Sequence, residues 1–164
     1  MDFTVEPMDD GDWPAVRDIY LEGIATGQAT FETQAPSWEQ WDQGHLPICR
    51  LVARVGAEVL GWVALSPVSR RPVYAGVAEI SIYVAERARG AGIGRSLLAA
   101  LCRASEREGI WSLQAGIFRE NSASIALHRR SGFREIGHQE RKGSLNGVWL
   151  DVVPMERRSK TAGL

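Results

Sequence analysis

Side-chain polarity changes period along the chain, and each period marks an element. Phe3 and Val5 alternate with polar neighbours, as in a short strand. Asp12-Trp13-Pro14 then reads as a helix start, with Asp12 at the N-cap and Pro14 in the first turn. Trp13, Val16, Ile19, Tyr20 and Ile24 recur at three and four, so this helix should end near Thr26. Ser37-Trp38-Glu39-Gln40 has capping-box spacing and predicts a short second helix. Residues 50–55 and 58–65 are apolar runs joined by Gly56-Ala57, which suggests a hairpin. Residues 66–74 hold prolines and arginines and read as a loop. Ala78-Glu79-Ile80-Ser81-Ile82-Tyr83-Val84 alternates strictly and is the clearest strand.

A glycine-rich turn, Arg89-Gly90-Ala91-Gly92-Ile93-Gly94, leads into a helix whose apolar stripe is Ile93, Leu97, Leu98, Leu101 and Cys102. A strand over 111–118 follows, then a helix from Asn121 stopped by Gly132 in the C′ place. Two last strands begin at Phe133 and at Val148. Residues 157–164 read as a frayed tail. The expected architecture is one α/β domain over residues 1–156, with about seven strands and about four helices.

Composition narrows the function. The chain has 164 residues, ordinary for one domain. Apolar residues make up 45% and charged residues 24%, proportions that exclude a disordered chain. Nineteen Lys and Arg against 20 Asp and Glu give a net charge of −1, without the broad basic field of a nucleic-acid binder. No apolar run nears the roughly 20 residues of a membrane span, and residues 1–6 lack a secretory signal pattern. Cys49 and Cys102 stand far apart and form neither a disulfide framework nor a zinc spacing, so a reducing, cytoplasmic setting is expected. No His/Cys/Asp cluster has metal-ligand spacing. Cys102 lies on the helix stripe and reads as core, which argues against a cysteine nucleophile.

Strand, glycine turn, helix is a phosphate-binding arrangement, because the helix start offers free N–H groups and partial positive charge. Gly90, Gly92 and Gly94 are each two apart, so the G-x-G-x-x-G dinucleotide fingerprint fails, and no P-loop run exists. What matches is R-x-x-G-x-G at Arg89, Gly92 and Gly94. Here the chain resembles the GNAT superfamily of N-acetyltransferases, whose pyrophosphate turn has this form. Asn121-Ser122-Ala123-Ser124-Ile125-Ala126-Leu127-His128 followed by Gly132-Phe133 resembles a second pattern of that superfamily. The resemblance implies a mixed sheet with acetyl-CoA between two splayed central strands. It implies coenzyme contacts from Ile82, Tyr83, Val84, Arg89, Gly90, Ala91, Gly92, Ile93, Gly94, Arg95, Asn121, Ser124 and Arg130. Asn121 is equally read as a helix N-cap, and both roles are compatible.

Within the superfamily the chain resembles the phosphinothricin and methionine-sulfoximine N-acetyltransferases from Val5 to about Met155. Thr30-Phe31-Glu32, Arg71-Pro72-Val73-Tyr74, the 78–84 strand and Leu127-His128 carry the likeness. It implies Thr30, Phe31, Arg71 and Tyr74 as acceptor contacts. The chain departs from the family at Ala75 and Val77, which stand where Arg and Thr are usual, and in the last hairpin. Loss of that Arg, a natural carboxylate clamp, leaves the acceptor open.

An amine attacks a thioester only when neutral, so a base must take its proton. Glu79, on one strand face with Ser81 and Tyr83, is the candidate; its structural alternative is an ion pair with Arg71. The superfamily's oxyanion donor is a backbone N–H, here near Val84. His128 is either the proton donor to the leaving thiolate or a buried structural histidine. His45 and His138 read as surface residues, and Trp62 as a candidate for the acceptor pocket for which core is the favoured reading. The main expectation is acetyl transfer from acetyl-CoA to the amine of a small amino-acid-like acceptor. Two others remain: another amine (a protein N-terminus, polyamine or antibiotic), or a non-catalytic acyl-CoA-binding domain. The resemblance also implies a homodimer pairing through C-terminal portions.

Overall fold

The computed structural model describes residues 1–164. Its elements in order are β1 (Thr4–Pro7), α1 (Trp13–Ala25), α2 (Trp38–Gly44), β2 (Leu51–Val55), β3 (Glu58–Pro67) and β4 (Val77–Val84). Then follow α3 (Ile93–Arg107), β5 (Ser112–Phe118), α4 (Ser122–Arg130), β6 (Arg134–Glu135), β7 (Gln139–Leu145) and β8 (Val148–Arg158). One eight-stranded sheet runs β1-β2-β3-β4-β5-β8-β6, with β7 also on β8. The eighth strand arises because the stretch expected as one strand from Phe133 divides into the two-residue β6 and the longer β7. All pairings are antiparallel except β4 with β5.

Alternation along β3 sorts the two faces. Trp62 faces α1 and α2, where it meets Tyr20 and Trp41. Gly61 faces α3, and a Cβ there would stand 3.0 Å from Ile93 Cγ2. Glycine therefore sets how closely α3 lies on the sheet. The α3 stripe of Ile93, Leu97, Leu98 and Leu101 is at most 1% exposed, each side chain contributing roughly 1.5–3 kcal/mol by burial. No helix is long and apolar enough to cross a membrane.

The Ser37–Gln40 capping box forms as expected, with Ser37 Oγ accepting from the Gln40 N–H at 3.2 Å. Asp12 differs from its expected N-cap role. It is nearly buried, accepts from the Asp9 N–H at 3.0 Å, and receives Arg54 Nη2 at 2.7 Å. An ion pair from a strand distant in sequence has captured the capping side chain. The tail also differs from expectation. β8 continues to Arg158, and the Ser159 N–H donates to the Trp111 carbonyl at 2.8 Å. Ser159 Oγ accepts from the Thr161 and Ala162 N–H groups, a local serine turn that anchors the chain end.

Candidate active site

β4 and β5 pair in parallel only from Val77 to Glu79 and from Ser112 to Gln114. Beyond that they diverge and open a cavity of about 660 Å³. Residues 79–83 of β4 form one wall and residues 114–118 of β5 the other. The loop over residues 28–32, α2 and the β7–β8 side close it. Ala85 donates its N–H to Leu60 on the β3 side, so the neighbouring Val84 N–H points into the gap.

The glycine turn follows β4, and neither its residues nor Val84 nor Arg130 line the cavity. Gly90 has φ 80° and Gly92 φ 83°, the left-handed region that favours glycine, although open space surrounds both. Gly92 caps α3 with no side chain on the free N–H groups and no acidic residue in the first turn. The N–H groups of Ile93, Gly94 and Arg95 are thus available to an anion, while the Ile93 side chain is buried in the core. Gly94 brings α4 close, since a Cβ would stand 3.1 Å from Leu127 Cδ2. Arg87 is held by Glu58 at 2.6 Å. Arg89, Arg95 and Arg130 are exposed and held by no carboxylate. Ile82, Tyr83, Asn121 and Ser124 line the cavity, Val84 ends the strand, and Ala91 sits within the turn. Asn121 caps α4, accepting from the Ser124 N–H at 3.2 Å, and its Nδ2 donates to the Gln28 carbonyl at 3.2 Å.

The Glu79 carboxylate lines the cavity with Ser81 and Tyr83 and enters no ion pair with Arg71. His128 lines it too and is 2% exposed. A carbonyl only accepts, so the 2.8 Å contact to Ser124 O fixes the proton on Nδ1. Nε2 is left as a buried lone pair without a partner. Burial holds the imidazole below the ordinary histidine value of 6.5, against the upward pull of the Ser124 carbonyl. At neutral pH His128 is therefore a proton acceptor, not a donor. Burial likewise raises the thiols, Cys49 to about 11, so neither cysteine is a ready nucleophile. No group of three or more His, Cys, Asp or Glu converges as a ligand set.

The sequence model of the acetyltransferase (GNAT) family matches residues 13–133. The chain belongs to the GNAT acetyltransferase family. Phosphinothricin N-acetyltransferase of Streptomyces coelicolor is 34% identical, covering 93% of this chain and 94% of the relative. The L-methionine sulfoximine/L-methionine sulfone acetyltransferase of Pseudomonas aeruginosa is 38% identical, covering 81% and 73%. A phosphinothricin acetyltransferase from Sinorhizobium meliloti, crystallised in complex with AcCoA, superposes with a TM-score of 0.88 at 30% identity, covering 99% and 91%.

In this GNAT acetyltransferase the expected acceptor residues divide. Thr30 and Phe31 line the cavity, where Phe31 packs edge-on to Phe118 at 4.6 Å. Arg71 and Tyr74 do not. Arg71 lies over the Tyr74 ring at 5.4 Å in an exposed turn. Tyr74 lines a separate depression with Trp111 and Arg158. Gly76 packs under Trp111, which fixes that turn away from the gap.

His45, expected at the surface, is a cavity residue. It stacks on Trp41 at 4.2 Å and its Nδ1–H donates to the Trp41 carbonyl at 2.7 Å. Its position four residues after Trp41 was the available signal. Trp62 is buried and also lines the cavity, so both of its expected readings meet in one residue; Trp41 and Tyr20 complete an aromatic wall. His138 is exposed and bonded to Asp151 at 2.7 Å.

A pH dependence of stability follows. Burial is the largest cause lowering both His45 and His128 below 6.5. In the unfolded chain both take protons from about pH 6.5 downward, while the folded chain resists. Their stabilisation is complete above that pH and is lost as pH falls toward the depressed folded values. Urea midpoints of the acetyltransferase should fall between about pH 7 and pH 5.5, and less so in the His45→Gln/His128→Gln double variant. An undiminished slope in that variant would contradict the assignment.

Proposed function

We propose that this GNAT N-acetyltransferase moves the acetyl group of acetyl-CoA to the α-amine of a small amino-acid acceptor, of the phosphinothricin or methionine sulfoximine/sulfone type. One observation carries the reading: Glu79 stands unpaired in the β4–β5 gap, beside an aromatic wall that suits a small organic acceptor. The relatives' names support the acceptor class.

Acetyl-CoA supplies the thioester. Arg89, Arg95, Arg130 and the α3 N–H groups hold its phosphates, and the Val84 N–H faces the developing oxyanion. Glu79 takes the first proton, from the acceptor's ammonium, and frees the nucleophile. His128 Nε2 takes the second proton as the C–N bond forms, then returns it to the departing thiolate as the C–S bond breaks. The balance is one amide, one CoA thiol and one proton left on Glu79 for solvent. His128 thus acts as acceptor before donor, because its resting Nε2 carries no proton.

We further propose one acetyltransferase domain that includes the anchored chain end, in a cytoplasmic enzyme whose cysteines stay free. A homodimer through the C-terminal hairpin is supported by Val148 at 58% and Trp149 at 62% exposure, an apolar pair available to a second copy. Sedimentation at micromolar concentration showing only the 18.1 kDa species would contradict the dimer. The acceptor is tested with purified enzyme, acetyl-CoA and a panel of amines, reading CoA thiol and product mass. Selective turnover of phosphinothricin, methionine sulfoximine or methionine sulfone is expected. A flat or empty amino-acid response, or turnover confined to peptides or polyamines, rejects the acceptor class.

A further inference from the structure

An amino-acid acceptor brings a carboxylate into a cavity that already holds the Glu32 and Glu79 carboxylates. That anion needs a cation. Arg71 is spent on Tyr74 outside the cavity, and no arginine lines it. The one lining side chain with a fixed positive charge is Lys142, on β7. It is exposed and forms no ion pair within the chain.

The backbone has been bent to put it there. In a regular strand Gln139 and Lys142, an odd number of residues apart, face opposite sides. Both nevertheless line the cavity. The β7–β8 register shifts between Gln139 and Gly143, and Arg141 within the shift has φ 49°, an unusual angle for a side-chain-bearing residue. Asp151 Oδ1 pins the irregularity by accepting the Arg141 N–H at 2.9 Å. A bulge of this kind re-aims a side chain. Next to it, Gly143 leaves room for Phe31, whose ring stands 2.9 Å from where a Cβ would be.

We propose that Lys142, turned inward by the bulge, binds the carboxylate of the acceptor amino acid and so determines specificity for acceptors that carry one. This rests on the amino-acid reading above. The test compares L-methionine sulfone with its carboxamide. In Lys142→Met the KM for the free acid should rise roughly 10- to 100-fold, the range of a charge-assisted hydrogen bond. The KM for acetyl-CoA should stay unchanged, and the carboxamide should react alike with both enzymes. Lys142→Arg should recover most of the loss. An unchanged KM for the free acid overturns the proposal while leaving the amino-acid reading standing. Equal losses for acid and carboxamide, or a raised KM for acetyl-CoA, also overturn it. Absence of turnover on any carboxylate-bearing acceptor by the wild-type enzyme overturns both.

Discussion

Glu79→Gln should lower kcat by roughly 10²- to 10⁴-fold, the usual contribution of a positioned general base. The change keeps the shape of the side chain and removes its negative charge together with its ability to take a proton. Glu79 is exposed on the cavity wall and joins no ion pair, so stability should stay within about 0.5 kcal/mol of wild type. The KM for acetyl-CoA should not move, because the phosphate-binding groups lie on the glycine turn and α3. Steady-state kinetics with a saturating acceptor, alongside a thermal melt, separates the two effects. Activity within a few-fold of wild type removes Glu79 from the proton path and leaves the cavity histidines, His128 and His45, as the remaining side-chain acceptors. A large loss accompanied by a lowered melting temperature assigns Glu79 a structural part instead.

Trp62→Ala should cost about 3–5 kcal/mol, the range for deleting a buried indole. Trp62 is 1% exposed, stacks on Tyr83 at 5.1 Å, and meets Trp41 edge-on at 5.6 Å. Nothing adjacent can collapse into its place without breaking those contacts. At the size of this chain the melting temperature should drop by roughly 6–20 °C. The acceptor KM should rise as well, since the same ring lines the cavity. Trp149→Ala is the control: that ring is 62% exposed and its loss should leave the isolated protomer within about 0.5 kcal/mol. A Trp62→Ala loss below about 1 kcal/mol would falsify the tight aromatic wall.

The positions of the proposed catalytic residues were legible where they are set locally. Glu79 falls on a strand with strict alternation, and the glycine turn, Asn121 and His128 sit at fixed spacings on helices. A strand or helix dictates which side chains share a face, so the period alone brought Glu79 beside Ser81 and Tyr83. The acceptor half was not legible in the same way. Arg71 and Tyr74 looked like acceptor contacts by resemblance, but the packing of Gly76 under Trp111 turns them to another surface. His45 read as a surface residue because it belongs to no motif, while its neighbours in space are Trp41 and Trp62. Asp12 looked like a cap, and Arg54 took it over from across the sheet.

Read alone, the chain specified its element types and the glycine turn, because each depends on residues within one or two turns of one another, and it pointed to acetyl transfer through its resemblance to a family. Folding settled the tautomer of His128, the aromatic wall, the anchored tail and the inward turn of Lys142. Each of these depends on a partner distant in sequence or on a break in periodicity: burial for Nε2, α2 laid over β3, Trp111 beneath the tail, and Asp151 against the β7 bulge. A pattern read along one chain carries directions within an element. It carries no distances between elements.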